Sequence, residues 1–206
     1  MERNRLDKEK IKNIIIRKGI LLPNIQDYLM EYDKDGNKFI DEEYIKKEKI
    51  AIIDCDGILT NGKSYYTVEG KFIKGYGAYD KEMLKLLLRN YNWKFFFVTD
   101  DALGYQITSK RVQDFIGYEN NVFFERKTPE GRYYLIKELK NENNLIVFIG
   151  DSLSDVSSLL TADIGATVKN APKLVKSYSD LVSSKEGGNG GLADILFYIH
   201  THNGKI

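Results

Sequence analysis

Three stretches of the chain place aspartates directly after short apolar runs. Ile50-Ala51-Ile52-Ile53 leads into Asp54-Cys55-Asp56-Gly57, Phe95-Phe96-Phe97-Val98 into Thr99-Asp100-Asp101, and Leu145-Ile146-Val147-Phe148-Ile149 into Gly150-Asp151 with Asp155 four residues on. If the runs are neighbouring parallel strands, their ends lie ~4.8 Å apart and Asp54, Asp56 and Asp151 crowd one rim. Two carboxylates ~5 Å apart repel by roughly 3 kcal/mol at an effective dielectric of about 20, so such a group needs compensation. A hard divalent cation with oxygen ligands supplies it, and Mg²⁺ suits a site with few carboxylates and several waters. The chemistry that fits is phosphoryl transfer: an Asp carboxylate attacks phosphorus, a second carboxyl group moves the proton, and a hydroxyl such as that of Thr99 holds a phosphate oxygen. Taken singly, each aspartate could equally cap a helix or sit in a solvated loop. Their recurrence as a set is what points to function.

The elements that must position these groups follow from hydrophobic pattern. Strands are expected at Ile50–Asp54, Lys94–Val98, Val122–Phe124, Leu145–Ile149 and Ile164–Val168, and helices between them at Lys81–Arg89, Leu103–Phe115, Glu130–Lys140 and Asp155–Leu160. Near-continuous apolar strands alternating with amphipathic segments predict an α/β fold: a Rossmann-like, doubly wound parallel sheet with helices on both faces. Ligands of such sheets bind beyond the carboxyl ends of the strands. Ser64–Thr67 and Lys71–Lys74 flank Val68-Glu69-Gly70 and predict a β-hairpin flap after the first strand. Residues 1–48 differ from the rest and form an N-terminal helical extension, with a helix over Leu6–Arg17 interrupted by Pro23 and by Asp33–Asn37. The remaining residues, 49–206, form the main domain. In its tail, 186–206, Gly187–Gly191 has the composition of a joint and Leu192–Tyr198 the pattern of a terminal helix.

Composition narrows the classes. The 206 residues are 42% hydrophobic and carry 31 Lys plus Arg against 30 Asp plus Glu, so a core is affordable and no broad field favours nucleic acid or an anionic membrane. The lone Cys55 excludes an internal disulfide and a cysteine-cluster zinc site and suits a reducing, cytoplasmic setting. Its alternation with Asp54 and Asp56 makes it a core filler and not a nucleophile. His200 and His202, the only histidines, lie in a polar tail and carry no catalytic role. No apolar run approaches the ~20 residues of a membrane span, and the polar start Met1–Arg5 lacks a signal peptide's apolar stretch.

Asp54-Cys55-Asp56-Gly57-Ile58-Leu59-Thr60, Thr99 after a strand, and Gly150-Asp151-Ser152-Leu153-Ser154-Asp155 together resemble the haloacid dehalogenase superfamily of phosphatases. The hairpin, the Lys74–Asp80 segment and the glycine-rich tail are similar to its capless 3-deoxy-D-manno-octulosonate 8-phosphate phosphatase group. The resemblance covers roughly residues 49 to 200. It implies Asp54 as nucleophile, Asp56 as general acid/base, and Mg²⁺ held by the Asp54 and Asp151 carboxylates and the Asp56 backbone carbonyl. It also implies phosphate binding by Thr99, support from Asp155, Gly57 and Asp100, no large cap domain, and a homotetramer in which hairpin and neighbouring tail close the site. The substrate implied is a small phosphorylated metabolite, with a keto sugar acid phosphate first. Four positions depart from the group's pattern. Apolar spacing puts Arg132 where the phosphate-binding lysine belongs, with Lys127 as the alternative cation, and Asp101, Tyr79 and Asn189 stand where arginines belong. These losses leave room for a catalytically weak interaction or regulatory domain.

Two other patterns compete. Gly57–Ser64 matches P-loop spacing, yet Ser64-Tyr65-Tyr66-Thr67-Val68 predicts a strand where a P-loop needs a helix. Asp33–Asp41 resembles an EF-hand loop, but Lys38 replaces the turn glycine and Tyr44 the bidentate Glu, which favours a solvated turn over a Ca²⁺ site. The mixed charges Glu42, Glu43, Lys46, Lys47, Glu48 and Lys49 are expected to form an exposed face.

Overall fold

A computed structural model describes residues 30–31, 38–116 and 120–206. The helix expected over Leu6–Arg17 and most of the EF-hand-like loop, Asp33–Asn37, lie outside the described residues.

After a short helix α1 (Glu42–Lys46) come β1 (Glu48–Asp54), a tight turn, and the hairpin strands β2 (Thr60–Thr67) and β3 (Gly70–Tyr76). Then follow α2 (Asp80–Asn90), β4 (Trp93–Thr99), α3 (Tyr105–Ile116), β5 (Val122–Arg126), α4 (Pro129–Leu139) and β6 (Asn144–Ile149). A 3₁₀ turn over Leu153–Asp155, α5 (Val156–Thr161), β7 (Ile164–Thr167), α6 (Lys173–Lys176), β8 (Leu181–Val182) and α7 (Gly191–Thr201) complete the chain. Six strands form one sheet in the order β5-β4-β1-β6-β7-β8, every neighbouring pair parallel. This is the doubly wound sheet the sequence predicts, extended by β8, which is too short to show as an apolar run.

β-branched and aromatic runs suit a strand covered on both sides, because successive side chains point to opposite faces. Ala51, Ile52 and Ile53 are all fully buried, as are Ile146, Val147, Phe148 and Ile149 on the next strand, so both faces of the central sheet are covered. Ile53 lies opposite Phe97 on one side and Ile149 on the other. That register brings β1, β4 and β6 to a common carboxyl edge and decides which polar groups meet there. The hairpin is longer than its sequence suggests and carries a bulge: Tyr65 pairs with Ile73 and Tyr66 with Lys71, leaving Phe72 as the extra residue. Lys63 and Ser64 lie on β2, so the P-loop alternative lacks its helix.

Three expectations are corrected on the opposite side of the molecule and in the tail. Lys49 is not on an exposed face. It is buried, and its ammonium donates to the carbonyls of Tyr44 (2.8 Å) and Ile45 (3.0 Å) at the end of α1. His200 is not in a polar tail but in the core, on α7. Its Nε2 lies 3.0 Å from the Met30 carbonyl and its ring meets Tyr91 edge-on at 4.4 Å. Gly187–Gly191 is no open joint: Gly188 N–H donates to the Ile58 carbonyl (2.9 Å), and a Cβ on Gly187 would stand 1.6 Å from the Gly57 carbonyl oxygen. Only glycine lets these two backbones touch.

Burial pushes the His200 pKa down to about 4, with Lys49 acting in the same direction and the Met30 carbonyl opposing. A folded-state pKa below the unfolded value means that the neutral ring stabilises the fold above about pH 6.5, a contribution lost as pH falls through about 4. Thermal melts should therefore show a drop in Tm between pH 6.5 and 4 that is shallower in His200→Gln than in the parent. Equal slopes would assign the acid loss to other groups.

Candidate active site

The common edge gathers the aspartates into one cavity of about 310 Å³. Asp54 closes β1, buried, with one carboxylate oxygen accepting the Cys55 N–H at 2.9 Å. Carboxylate oxygens of Asp54, Asp151 and Asp155 lie within 4.8 Å of one another. The turn after β1 depends on Gly57, whose φ is +90°, and a Cβ there would stand 2.0 Å from an Asp151 carboxylate oxygen. Glycine is thus required both by the left-handed backbone and by the approach of Asp151. The Thr60 hydroxyl ties the turn by accepting the N–H groups of Gly57 and Gly62, each at 3.1 Å.

Thr99, at the end of β4, donates to Asp56 at 3.2 Å and accepts the Asp101 N–H at 3.1 Å. Asp100 lines the cavity rim with its side chain half exposed, 3.8 Å from Arg126. Of the two candidate cations, Arg132 is the one that reaches the carboxylates. Thr128 caps α4, which carries Arg132 inward so that one terminal nitrogen lies 3.2 Å from Asp54 and the other bonds Asp155. Lys127 lies outside the cavity lining, where Glu125 holds its ammonium at 2.8 Å. Asp155 is fully buried and also accepts from the Ser152 N–H (3.0 Å) and hydroxyl (2.8 Å). Its oxygens are engaged by the protein, which suits a supporting role.

One group the sequence leaves unassigned is central. Lys74, buried on β3, sends its ammonium to Asp56 (2.8 Å), Asp101 (2.8 Å) and the Thr108 hydroxyl (2.9 Å), while Lys71 bonds Asp101 as well. Strict two-residue alternation would send Lys71 and Lys74 to opposite faces. The bulge at Phe72 brings them to the same one, a shift no sequence period reveals. Asp101, where the resemblance would have an arginine, is therefore already neutralised from the hairpin.

Burial first, and then the Asp155 charge, raise the Asp54 carboxyl well above the usual range, with Arg132 pulling the other way. Burial and Asp155 likewise push Asp151 up to about 7. Burial works against the Arg132 charge, yet Asp54 and Asp155 more than offset it. Lysines 71 and 74 hold the Asp101 carboxyl well below the usual carboxylate range, although burial opposes them. Three carboxylates facing a single guanidinium are short of positive charge, and hard oxygen donors at this spacing fit a small divalent cation.

A parallel sheet with aspartates grouped at its carboxyl edge, a hairpin after the first strand and no large cap among the described residues is the arrangement of a haloacid dehalogenase-like fold. A family model described as haloacid dehalogenase-like hydrolase matches residues 129–196. Among named relatives, the chain is 24% identical over 164 residues to 3-deoxy-D-manno-octulosonate 8-phosphate phosphatase of Haemophilus influenzae, covering 80% of this chain and 89% of the relative. The cobalt-bound structure from the same organism superposes with a TM-score of 0.63 at 24% identity, covering 79% of this chain and 92% of that one. The Moraxella catarrhalis enzyme, solved with magnesium, phosphate and KDO, gives 0.64 at 23% identity with the same coverages.

Proposed function

We propose that this chain is a Mg²⁺-dependent phosphomonoesterase that works through an aspartyl-phosphate on Asp54. The observation that carries this proposal is the meeting of the Asp54, Asp151 and Asp155 carboxylates within 4.8 Å beside buried Arg132, with Asp54, Asp151 and Arg132 lining the cavity that Asp56 and Thr99 also line. The carboxylates of Asp54 and Asp151 and the Asp56 carbonyl would hold Mg²⁺. When bound, the ion draws negative charge from phosphate and keeps the nucleophile ionised. Asp54 attacks phosphorus, the ester P–O bond breaks, and Asp56 gives its proton to the departing oxygen. Asp56 then takes a proton from the water that hydrolyses the acyl phosphate, which restores both carboxyl groups. Thr99 and Arg132 hold phosphate oxygens, with Asp155 fixing the guanidinium. A small phosphorylated metabolite is the substrate, and the named relatives support a phosphorylated keto sugar acid as the first candidate.

A panel of phosphate esters assayed with Mg²⁺ and with EDTA tests this function: at least one ester is hydrolysed with metal and none without. Mg²⁺ binding with no hydrolysis would favour the second possibility, a catalytically weak interaction domain. The contact of Arg132 with Asp54 is the observation in its favour, since the guanidinium engages the attacking carboxylate. We also infer a homo-oligomer, a tetramer by resemblance, supported by exposed Tyr65, Tyr66, Phe72 and Ile73 on the hairpin. Light scattering of the purified chain checks it. We further infer that residues 1–48 are an N-terminal extension to this phosphatase domain and that the protein works in the cytoplasm.

Proton linkage supplies a further expectation. With Asp151 raised to about 7 in the metal-free fold, its proton must leave before the carboxylate can ligate, so the apparent Mg²⁺ affinity falls roughly tenfold per pH unit below that point. The same shift means that Asp151 stabilises the metal-free protein at low pH and that this contribution is lost as pH rises through about 7. Saturating Mg²⁺ should therefore raise Tm more at pH 8 than at pH 6. An equal rise at both would remove Asp151 from the ligand set.

A further inference from the structure

Lys74 stands where no catalytic scheme yet uses it, and its surroundings limit what it can do. Its side chain is wholly buried, and three acceptors — Asp56, Asp101 and Thr108 — lie at 2.8–2.9 Å from the nitrogen. An ammonium has three protons. All three are committed, which leaves none to bind substrate. Each acceptor comes from a different part of the fold: Asp56 from the turn after β1, Asp101 from the loop after β4, and Thr108 from α3. The Thr108 hydroxyl is itself fixed, donating to the Gly104 carbonyl at 3.1 Å. Among the described residues Asp56 has one other side-chain partner, the Thr99 hydroxyl at 3.2 Å.

We propose that Lys74 is a positioning residue for Asp56: carried on the hairpin and clamped by Asp101 and Thr108, it holds the Asp56 carboxyl group in the orientation from which it protonates the departing oxygen. This rests on the phosphomonoesterase function proposed above. As the P–O bond breaks, its electron pair goes to the ester oxygen, and that oxygen takes the proton from Asp56. Lys74 exchanges no proton in the step. Seating of the hairpin is thereby coupled to readiness of the acid.

Leaving groups separate this role from a structural one. A nitrophenolate departs without a proton, whereas an alkoxide needs one. General acid catalysis contributes about 10²–10⁴-fold where it is needed. Lys74→Met should therefore lower kcat/KM at least about 10²-fold on the fastest alkyl ester of the panel and less than about 10-fold on p-nitrophenyl phosphate. That quantity stops at phosphoenzyme formation and leaves out the later water step that Asp56 also serves. Thr108→Val keeps the ammonium, removes one clamp, and should shift the alkyl-to-aryl ratio in the same direction by a smaller factor. In an Asp56→Asn background, adding Lys74→Met should cost less than about 3-fold on p-nitrophenyl phosphate, because two residues acting as one unit are not additive. Equal losses of kcat/KM on both esters, or an unchanged kcat/KM ratio in Thr108→Val, would overturn the positioning role while leaving the phosphatase intact. A parent protein that hydrolyses neither ester would remove the function itself, and this role with it.

Discussion

Asp54→Asn is expected to abolish turnover, by at least about 10⁴-fold, while the protein stays folded and keeps its sheet. The change preserves shape and removes one oxygen nucleophile. Asn cannot form the acyl phosphate, so acid quenching of the variant with substrate should leave no phosphorylated chain. Stability should not fall in step. Asp54 is buried among Asp151, Asp155 and Arg132, and its charge is opposed by burial and by Asp155, which Arg132 offsets only in part. Neutralising it relieves carboxylate repulsion at the cost of one ion pair, so Tm should hold or rise in the absence of Mg²⁺. The gain that Mg²⁺ gives the parent should shrink. Activity within tenfold of the parent would dispose of the assigned nucleophile.

The second large effect is expected at Arg132, and there both stability and activity suffer. Its side chain is 5% exposed and lies between side chains of Asp54 and Asp155 that are 7% and 0% exposed. Removing one partner from a buried charged set costs about 3–5 kcal/mol, because the remaining charges stay buried without compensation. Arg132→Met should lose stability on that scale in urea unfolding without metal, and recover part of it with Mg²⁺, which binds only the folded site. Activity should fall at least about 10²-fold, with weaker inhibition by inorganic phosphate, since a cation at the transferring phosphoryl group is lost. Arg132→Lys keeps the charge but gives up the planar fork that meets Asp54 and Asp155 together. It should stand between the two. A fully stable Arg132→Met with parental phosphate inhibition would take Arg132 out of the site.

Most of the fold, and most of the site, could be read from residue order. The strand ends bearing Asp54, Thr99 and Asp151 are signalled by apolar runs stopping at polar groups, and a parallel register leaves them no choice but to meet. Asp155 is legible for the same reason, four residues past Asp151 and in a capped turn. What stayed hidden has identifiable causes. Lys74 reaches Asp56 only because the bulge at Phe72 moves the hairpin face, an event without a composition signal. Lys49 and His200 look like surface groups because charge and position near a terminus suggest solvent. Their burial depends on α1 and α7 closing over the far side of the sheet. The glycine run suggests freedom by composition, whereas its use is close backbone contact with Gly57 and Ile58. Arg132 over Lys127 turned on helix phase: Thr128 starts α4, and four residues later Arg132 faces inward while Lys127 stays outside with Glu125.

Separate strand ends are expected to share one divalent ion. Crystals grown with Mn²⁺ in place of Mg²⁺, and measured for anomalous scattering, test it most directly. One peak per chain is expected in the cavity, within about 2.0–2.3 Å of a carboxylate oxygen from each of Asp54 and Asp151. A peak elsewhere, or an empty cavity at millimolar Mn²⁺ and pH 8, would contradict the assignment of these aspartates to a metal-assisted phosphatase site.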